Sequence, residues 1–424
     1  MKLWFRQTLT TKIFIGMVSG MILGLVFPPI ANIKFVGDIF IGFIKVAIVP
    51  LVFCVLAMSM ATIDIKSFGR LGVKVLLFYT FTTVVASILG VVLANLVQPG
   101  MGLDPAVLSK LTPPKAAVPP PLAEVFLNMV PTNIVDAAAK GNMIQIVVFA
   151  IFFGLVAGAV GKKAEPVKAV LEGVYQVMVK MVWAIMEMAP YGVFALMAWL
   201  TAVTGLKALL PLAKYILATI VGVTFQTVIV VSIFVALIAR VNPWHFYKRS
   251  LDYMMVAFTT RSSAASLPVA LQVAEQKLGI HPRIAGFALP LGSVMNQDGT
   301  AIWWPLAAMF IAQIYGIPIT LEQQIYLVVL VNLIGLGSTG IPSGGIILLA
   351  MILTGMGWPV EGIALIIGVD VIPDMFRTTL NVVDDLSGAL MVAATEEGML
   401  RRDVLRGERE LSPEEITFMG VAKG

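Results

Sequence analysis

Charge is scarce in this chain. Of 424 residues, Asp, Glu, Lys and Arg together make up 12%, against about 25% in an ordinary soluble domain. So little charge cannot clothe a water-facing surface. Cysteine occurs once, as Cys54, which excludes a disulfide within the chain. The two histidines, His245 and His281, both stand near expected loops, which argues against a His/Cys metal centre. It also argues against an intramembrane serine hydrolase built on Ser262 or Ser263, since that nucleophile needs a base within reach.

What the chain has instead is apolar sequence, 59% of the total, much of it in runs near the roughly 20 residues that cross a bilayer as a helix. It reads as a polytopic membrane protein. Full spans are expected at 13–32, 39–62, 73–97, 144–161, 184–205 and 212–239. Basic residues fall in alternate connections: Lys2, Arg6 and Lys12; Lys66, Arg70 and Lys74; Lys162, Lys163 and Lys168; Arg240, Lys248 and Arg249. Lys and Arg accumulate on the cytoplasmic side. The N-terminus is therefore expected inside, as is the tail with Arg401, Arg402, Arg406 and Arg409. The proline-rich connection 98–143 reads as a linker outside the bilayer, and 164–183 as an amphipathic approach to the fifth span.

The second half is patterned differently. In 251–282 and in 321–357, two short apolar pieces flank a small polar tip, "RSSAAS" and "GLGSTGIPSGG". Each is expected to form a re-entrant hairpin, because non-helical backbone at membrane depth survives only inside protein or along a wet cavity. Each hairpin is followed by an apolar segment with a polar interruption, "GSVMNQDGTA" (292–301) and "GVDVIPDMFRTTLNVVDD" (368–385). A hairpin plus an interrupted helix, twice, is the pattern of a secondary transporter with an internal repeat.

On a helix at about 100° per residue, Asp370, Asp374, Arg377, Thr378, Asn381 and Asp385 share one face, with Asp384 at its border. Charges at the bilayer centre are rare and face a cavity or each other. One buried pair would serve as glue; three acids, a base and an amide are more than glue requires. Pro373 is expected to kink this helix and free the carbonyl of Val369. In "NQDGT", Asp298 adds a carboxylate, and Gly299 permits unwound backbone whose carbonyls suit a hard cation such as sodium.

In this order, "RSSAASLP", "NQDGT", "GSTGIPSGG" and "DMFRTTLNVVDD" resemble the glutamate transporter family, the dicarboxylate/amino acid:cation symporters. The resemblance covers nearly the whole chain, including "GRLGVK", "VPTN" and "FALPLG". It implies an all-α membrane fold of eight transmembrane helices and two re-entrant hairpins, with inverted repeats, in a homotrimer at the plasma membrane. A scaffold would carry a transport domain that moves like a lift. The corresponding division is 1–72 scaffold, 73–143 transport-domain helix and linker, 144–240 scaffold and transport helices, 241–398 core transport domain, and 399–424 cytoplasmic tail. The implied partners are an acidic amino acid, cations and lipid, with no nucleic acid.

Carried over by motif, Arg377 would bind the side-chain carboxylate of the substrate and Asp374 its amino group. Asn381 and the Ser262–Ser263 tip would hold the α-carboxylate, and Arg261 of the same tip would belong to the substrate-binding residues. Thr300 and Thr378 would line the pocket, and Gly340, Ile341 and Gly345 would belong to its gate. One sodium site would use Asp385 with carbonyls of Gly292, Asn296 and Asn381. A second would use carbonyls of Val294, Gly335, Leu336 and Ser338. A third would use Tyr79, Thr82, Thr83, Asn296 and Asp298. Gln297 stands where the family usually has methionine, which leaves sodium as first choice of coupling ion and protons as the alternative. Pro373 and Asp384 depart from the family pattern too. A C4-dicarboxylate carrier is the runner-up; a retained Asp374 argues against it. A neutral amino acid would leave Arg377 without a carboxylate partner, and a passive channel fits the gate-like tips less well.

Overall fold

The computed structural model describes residues 9–62, 65–102, 130–140, 142–205, 209–335 and 344–408. Their regular structure is almost entirely helical. In chain order the first helices are α1 (Leu9–Val26), α2 (Lys34–Thr62), α3 (Ile65–Val97), α4 (Ile134–Lys140), α5 (Met143–Val160) and α6 (Glu165–Thr204). Helix α7 (Leu209–Phe225) continues through π-helical turns to Ala239. Then come α8 (Pro243–Thr260), α9 (Ser263–Gln272), α10 (Pro282–Met295), α11 (Asp298–Ile314), α12 (Leu321–Gly335) and α13 (Gly344–Met356). The chain closes on α14 (Ile363–Ile367), α15 (Val371–Ala394) and α16 (Arg402–Arg406). Among the described residues, five helical stretches are long and apolar enough to cross a membrane: Pro28–Met58, Leu71–Val97, Gln145–Met178, Ala184–Val203 and Leu210–Ala239.

Several expectations shift. The first span ends early, because Pro28 and Pro29 convert the chain to a 3-10 turn after Val26. The amphipathic stretch 164–183 is no separate element. It forms one 40-residue helix with the fifth span, since no residue between them caps or breaks it. The hairpin expected from residue 251 begins at Pro243, where Asn242 caps α8 by accepting from Trp244 N. The expected break at "NQDGT" is present: α10 ends at Met295 and α11 starts at Asp298.

The expectation for Pro373 is corrected. The helical path breaks earlier, over 368–370, and Pro373 lies in the first turn of α15. There its missing N–H is no loss, because the first turn has no intrahelical acceptor for it. The Val369 carbonyl is not freed; it accepts from Ile372 N at 3.4 Å.

Two layers of packing position the site. In the outer one, α6 packs along α1 and α2, and α2 against α5. Gly16, Gly20 and Gly24 of α1 lie against the backbone at Pro190, Phe194 and Ala198 of α6, where any Cβ would collide. Small residues at this spacing let membrane helices approach closely. In the inner layer α15 touches α3, α7, α8, α9, α10 and α11. Helix α11 is buried at 16 positions, Asp298 through Ala312 and Ile314. With α15 it forms the centre of the molecule, while α1, α2, α3 and α7 expose Phe14, Ile22, Val46, Leu77, Leu217 and Val221. Such outward apolar faces suit lipid.

The end of the inner layer is clasped. After α15 the chain returns to α10, with His281 N donating to Met399 O and Arg401 N to Gly279 O, both at 2.9 Å. Arg402 Nη1 caps the end of α7 through Ala239 O at 2.9 Å. Lys74 of α3 pairs with Glu396 at 2.5 Å.

Candidate functional site

Three groups of buried polar side chains meet on the inner face of α15. The first surrounds Arg377, which is 3% exposed. Its Nη2 donates to Asp374 at 2.8 Å and to Asp370 at 3.2 Å. The i, i+3 spacing explains the first bond; Asp370 reaches it because it sits at the N-cap of α15, two turns below. Arg377 Nη1 and Nε donate to no group among the described residues. The guanidinium lies over the Trp303 ring, 3.8 Å from the centroid, a close cation–π geometry. Trp303 in turn donates from Nε1 to the Tyr215 hydroxyl of α7. Trp303 and Tyr215 escaped the sequence reading, because both sit in runs that look like ordinary apolar helix.

The hairpin tip between α8 and α9 brings a second base to this group. Arg261 adopts a left-handed conformation, φ +54°, and its Nη1 is 3.9 Å from Asp374 Oδ2. Ser262 caps α9, its hydroxyl accepting from Ala265 N at 3.2 Å, and Ser263 is buried beside it. From the other side comes Gly345 in the first turn of α13. A Cβ there would stand 3.5 Å from Trp303, 3.8 Å from Thr300 Cγ2 and 3.9 Å from Arg377 Nη1. Its carbonyl accepts from Trp304 Nε1 at 3.0 Å. Gly340 and Ile341 of the second tip lie outside the described residues, as do Leu336 and Ser338.

The second group joins α15 to the break between α10 and α11. Gly299 lies so near the backbone of Arg377 that a Cβ would clash. Its N–H donates to Asn381 Oδ1 at 2.7 Å. Asn381 Nδ2 donates to Gln297 Oε1 at 3.1 Å, and Thr300 Oγ1 to the same oxygen at 3.2 Å. Thr378 is buried on the adjoining turn.

The third group is acidic. Asp298, Asp384 and Asp385 are fully buried, and so is Asn296. Asn296 Nδ2 donates to Asp385 Oδ1 at 3.0 Å and to Asp384 Oδ2 at 3.4 Å. Thr83 Oγ1 reaches Asp298 Oδ1 at 2.8 Å, and Ser387 Oγ reaches Asp384 Oδ1 at 2.9 Å. Thr82 is turned to the Tyr79 carbonyl at 3.2 Å. Tyr79 donates to the carbonyls of Ala288 and Asp385, at 3.1 and 3.2 Å. Gly292 leaves room for this group: a Cβ would meet Asp385 Oδ1 at 2.5 Å and the Tyr79 hydroxyl at 2.8 Å. The Gly292 carbonyl accepts from Asn296 N, and Val294 lies in the last turn of α10, where carbonyls lack helical partners. Gly335 ends α12 with its Cα side toward Trp304.

Asp298 Oδ2, Asp385 Oδ2 and Asn296 Oδ1 accept from no group among the described residues. Among the described residues, the bases at the centre pair with Asp370 and Asp374, not with these acids. A buried carboxylate without a counter-charge is too costly to keep ionised, and oxygen donors of this kind suit a hard cation.

A base cradle with unused donors thus lies next to a carboxylate pocket with unused acceptors. Residues 9–395 match the model of the sodium:dicarboxylate symporter family. The chain belongs to that family. It is 37% identical to the proton/glutamate-aspartate symporter of Escherichia coli over 88% of each chain. It is 33% identical to a proton/sodium-glutamate symport protein of Geobacillus stearothermophilus, over 92% of this chain and 94% of the relative. It is 35% identical to a C4-dicarboxylate transport protein of Leptothrix cholodnii, over 89% and 86%. As a sodium:dicarboxylate symporter, it is a multi-pass membrane protein that couples solute movement to cations.

Proposed function

We propose that this symporter takes up acidic amino acids, aspartate or glutamate, together with sodium. The observation that carries this reading is the Arg377–Asp374 pair with two guanidinium nitrogens unspent. A planar fork with free donors takes a carboxylate, and an acid one helical turn away takes an ammonium. A ligand bearing both groups fills both. Asn381 and the Ser262–Ser263 tip hold the α-carboxylate, Thr300 and Thr378 line the pocket, and Gly345 belongs to its lid. Asp385 with Gly292, Asn296 and Asn381 takes one sodium ion. Asp298 with Tyr79, Thr82, Thr83 and Asn296 takes another. Val294 and Gly335, with Leu336 and Ser338, supply carbonyls to a further one. The cation enters as a co-substrate whose charge offsets the buried carboxylates.

In this reading α8–α9 and α12–α13 are re-entrant hairpins, and the chain crosses the plasma membrane eight times with both termini cytoplasmic. Residues 241–398 form the core of a transport domain that moves against a trimeric scaffold of residues 1–72 and part of 144–240. The protein carries out no covalent chemistry. The second reading, a C4-dicarboxylate carrier, is favoured by one observation: Arg261 stands within 3.9 Å of Asp374, so two bases converge where an ammonium is expected. Competition binding separates the two. In Asp374→Asn, aspartate should weaken far more than succinate; equal losses would make Asp374 a structural ion-pair partner and favour the dicarboxylate.

A further inference from the structure

The Gln297 side chain is buried, 5% exposed, and its two ends have different fates. Asn381 is fixed in direction, because an amide N–H, that of Gly299, points at its oxygen. Its nitrogen therefore donates, and the acceptor is Gln297 Oε1. Thr300 Oγ1 donates to the same atom. An amide oxygen has two lone pairs, and both are now used. Gln297 Oε1 is thus not the atom left for a cation. The relay runs one way, from Gly299 N–H through Asn381 to Gln297, and ends on Gln297 Nε2, whose protons are donated to no group among the described residues. Unlike Arg377 Nη1, this nitrogen is not sealed inside the packing; it opens onto the space beside Thr300 and Asn381, where a ligand can take it.

We propose that Gln297 is a substrate ligand, its amide nitrogen donating to a carboxylate of the transported anion. This rests on the pocket assignment above. It gives Gln297 a role in solute recognition; the competing role is an amide oxygen that ligates the coupling ion. The relay makes the donor directional: Gln297 cannot flip to offer its oxygen without turning a second donor on Asn381 Nδ2, whereas the Thr300 hydroxyl could serve either orientation.

The test is L-aspartate binding to the purified full chain at saturating sodium, for wild type, Q297M and Q297E. Hydrogen bonds to charged groups are worth enough that losing one weakens binding about tenfold or more. Q297M should lose at least that, undiminished at saturating sodium. Q297E keeps an oxygen for Asn381 and Thr300 but replaces the donor with an anion, so it should bind more weakly still. If Gln297 served the cation through its oxygen, Q297E would be the mild variant. Aspartate binding by Q297E tighter than by Q297M, or Q297M within about twofold of wild type, would overturn the proposal. Should Q297E fail to fold, as read from melting without substrate, Q297M alone decides. Wild-type protein that binds succinate and not aspartate would overturn the amino-acid reading alone. The same variant order, measured with succinate, would then decide the role of Gln297.

Discussion

At the residue scale, Arg377 has two jobs that can be separated. It neutralises Asp370 and Asp374, and in the proposed reading its unspent donors take a carboxylate of the substrate. Removing one partner of a buried ion pair strands the other charge, at about 3–5 kcal/mol. Arg377→Ala should therefore lower the melting temperature and abolish binding of acidic amino acids. Adding Asp370→Asn should restore much of the stability and none of the binding. Wild-type affinity in either variant would remove Arg377 from recognition. The polar stripe was legible in the sequence because Asp, Arg and Asn in an apolar helix have few bland explanations. Trp303 was not, since an aromatic in an apolar helix is ordinary and only the fold brings its face to the guanidinium. Trp303→Leu should weaken substrate binding about fivefold to thirtyfold, the range of a partly to fully desolvated cation–π contact of about 1–2 kcal/mol. Unchanged affinity in equilibrium binding would show that the stack only fills space.

At the element scale, the break between α10 and α11 does the assembling. Two unwound residues, Asn296 and Gln297, turn one side chain to the acidic group and the next to Asn381 and Thr300. Gly299 lets this segment lie on the backbone of Arg377. A methyl group there has no flexible neighbour to displace, so Gly299→Ala should destabilise the protein by about 1–3 kcal/mol. It should also weaken substrate and sodium binding together, as measured by melting and by titration. A stable variant with intact binding would refute the clamp. The break could be read from "NQDGT" because glycine and small polar residues rarely interrupt an apolar run without cause. Helix ends were read less well. Nothing in the sequence between residues 164 and 184 distinguishes an approach helix from the first turns of α6. Pro373 was read as a kink because the break that places it in a first turn lies at 368–370, where only Gly368 hints at it.

At the scale of the whole molecule, the outer helices show apolar faces outward and the inner ones keep their charges buried, which divides the chain into a lipid-facing layer and a polar centre. The apolar runs alone indicated the first. The second needed the motifs, because hairpins and broken helices are too short to stand out by hydropathy. In the proposed function the polar centre binds an acidic amino acid, and its carboxylates make entry depend on sodium. Uptake of radiolabelled L-aspartate into proteoliposomes tests this most directly, with sodium and proton gradients imposed separately. Aspartate should accumulate under an inward sodium gradient at equal pH, and not under a proton gradient at equal sodium. Accumulation driven by the proton gradient alone, or none of an acidic amino acid under either gradient, would contradict this reading.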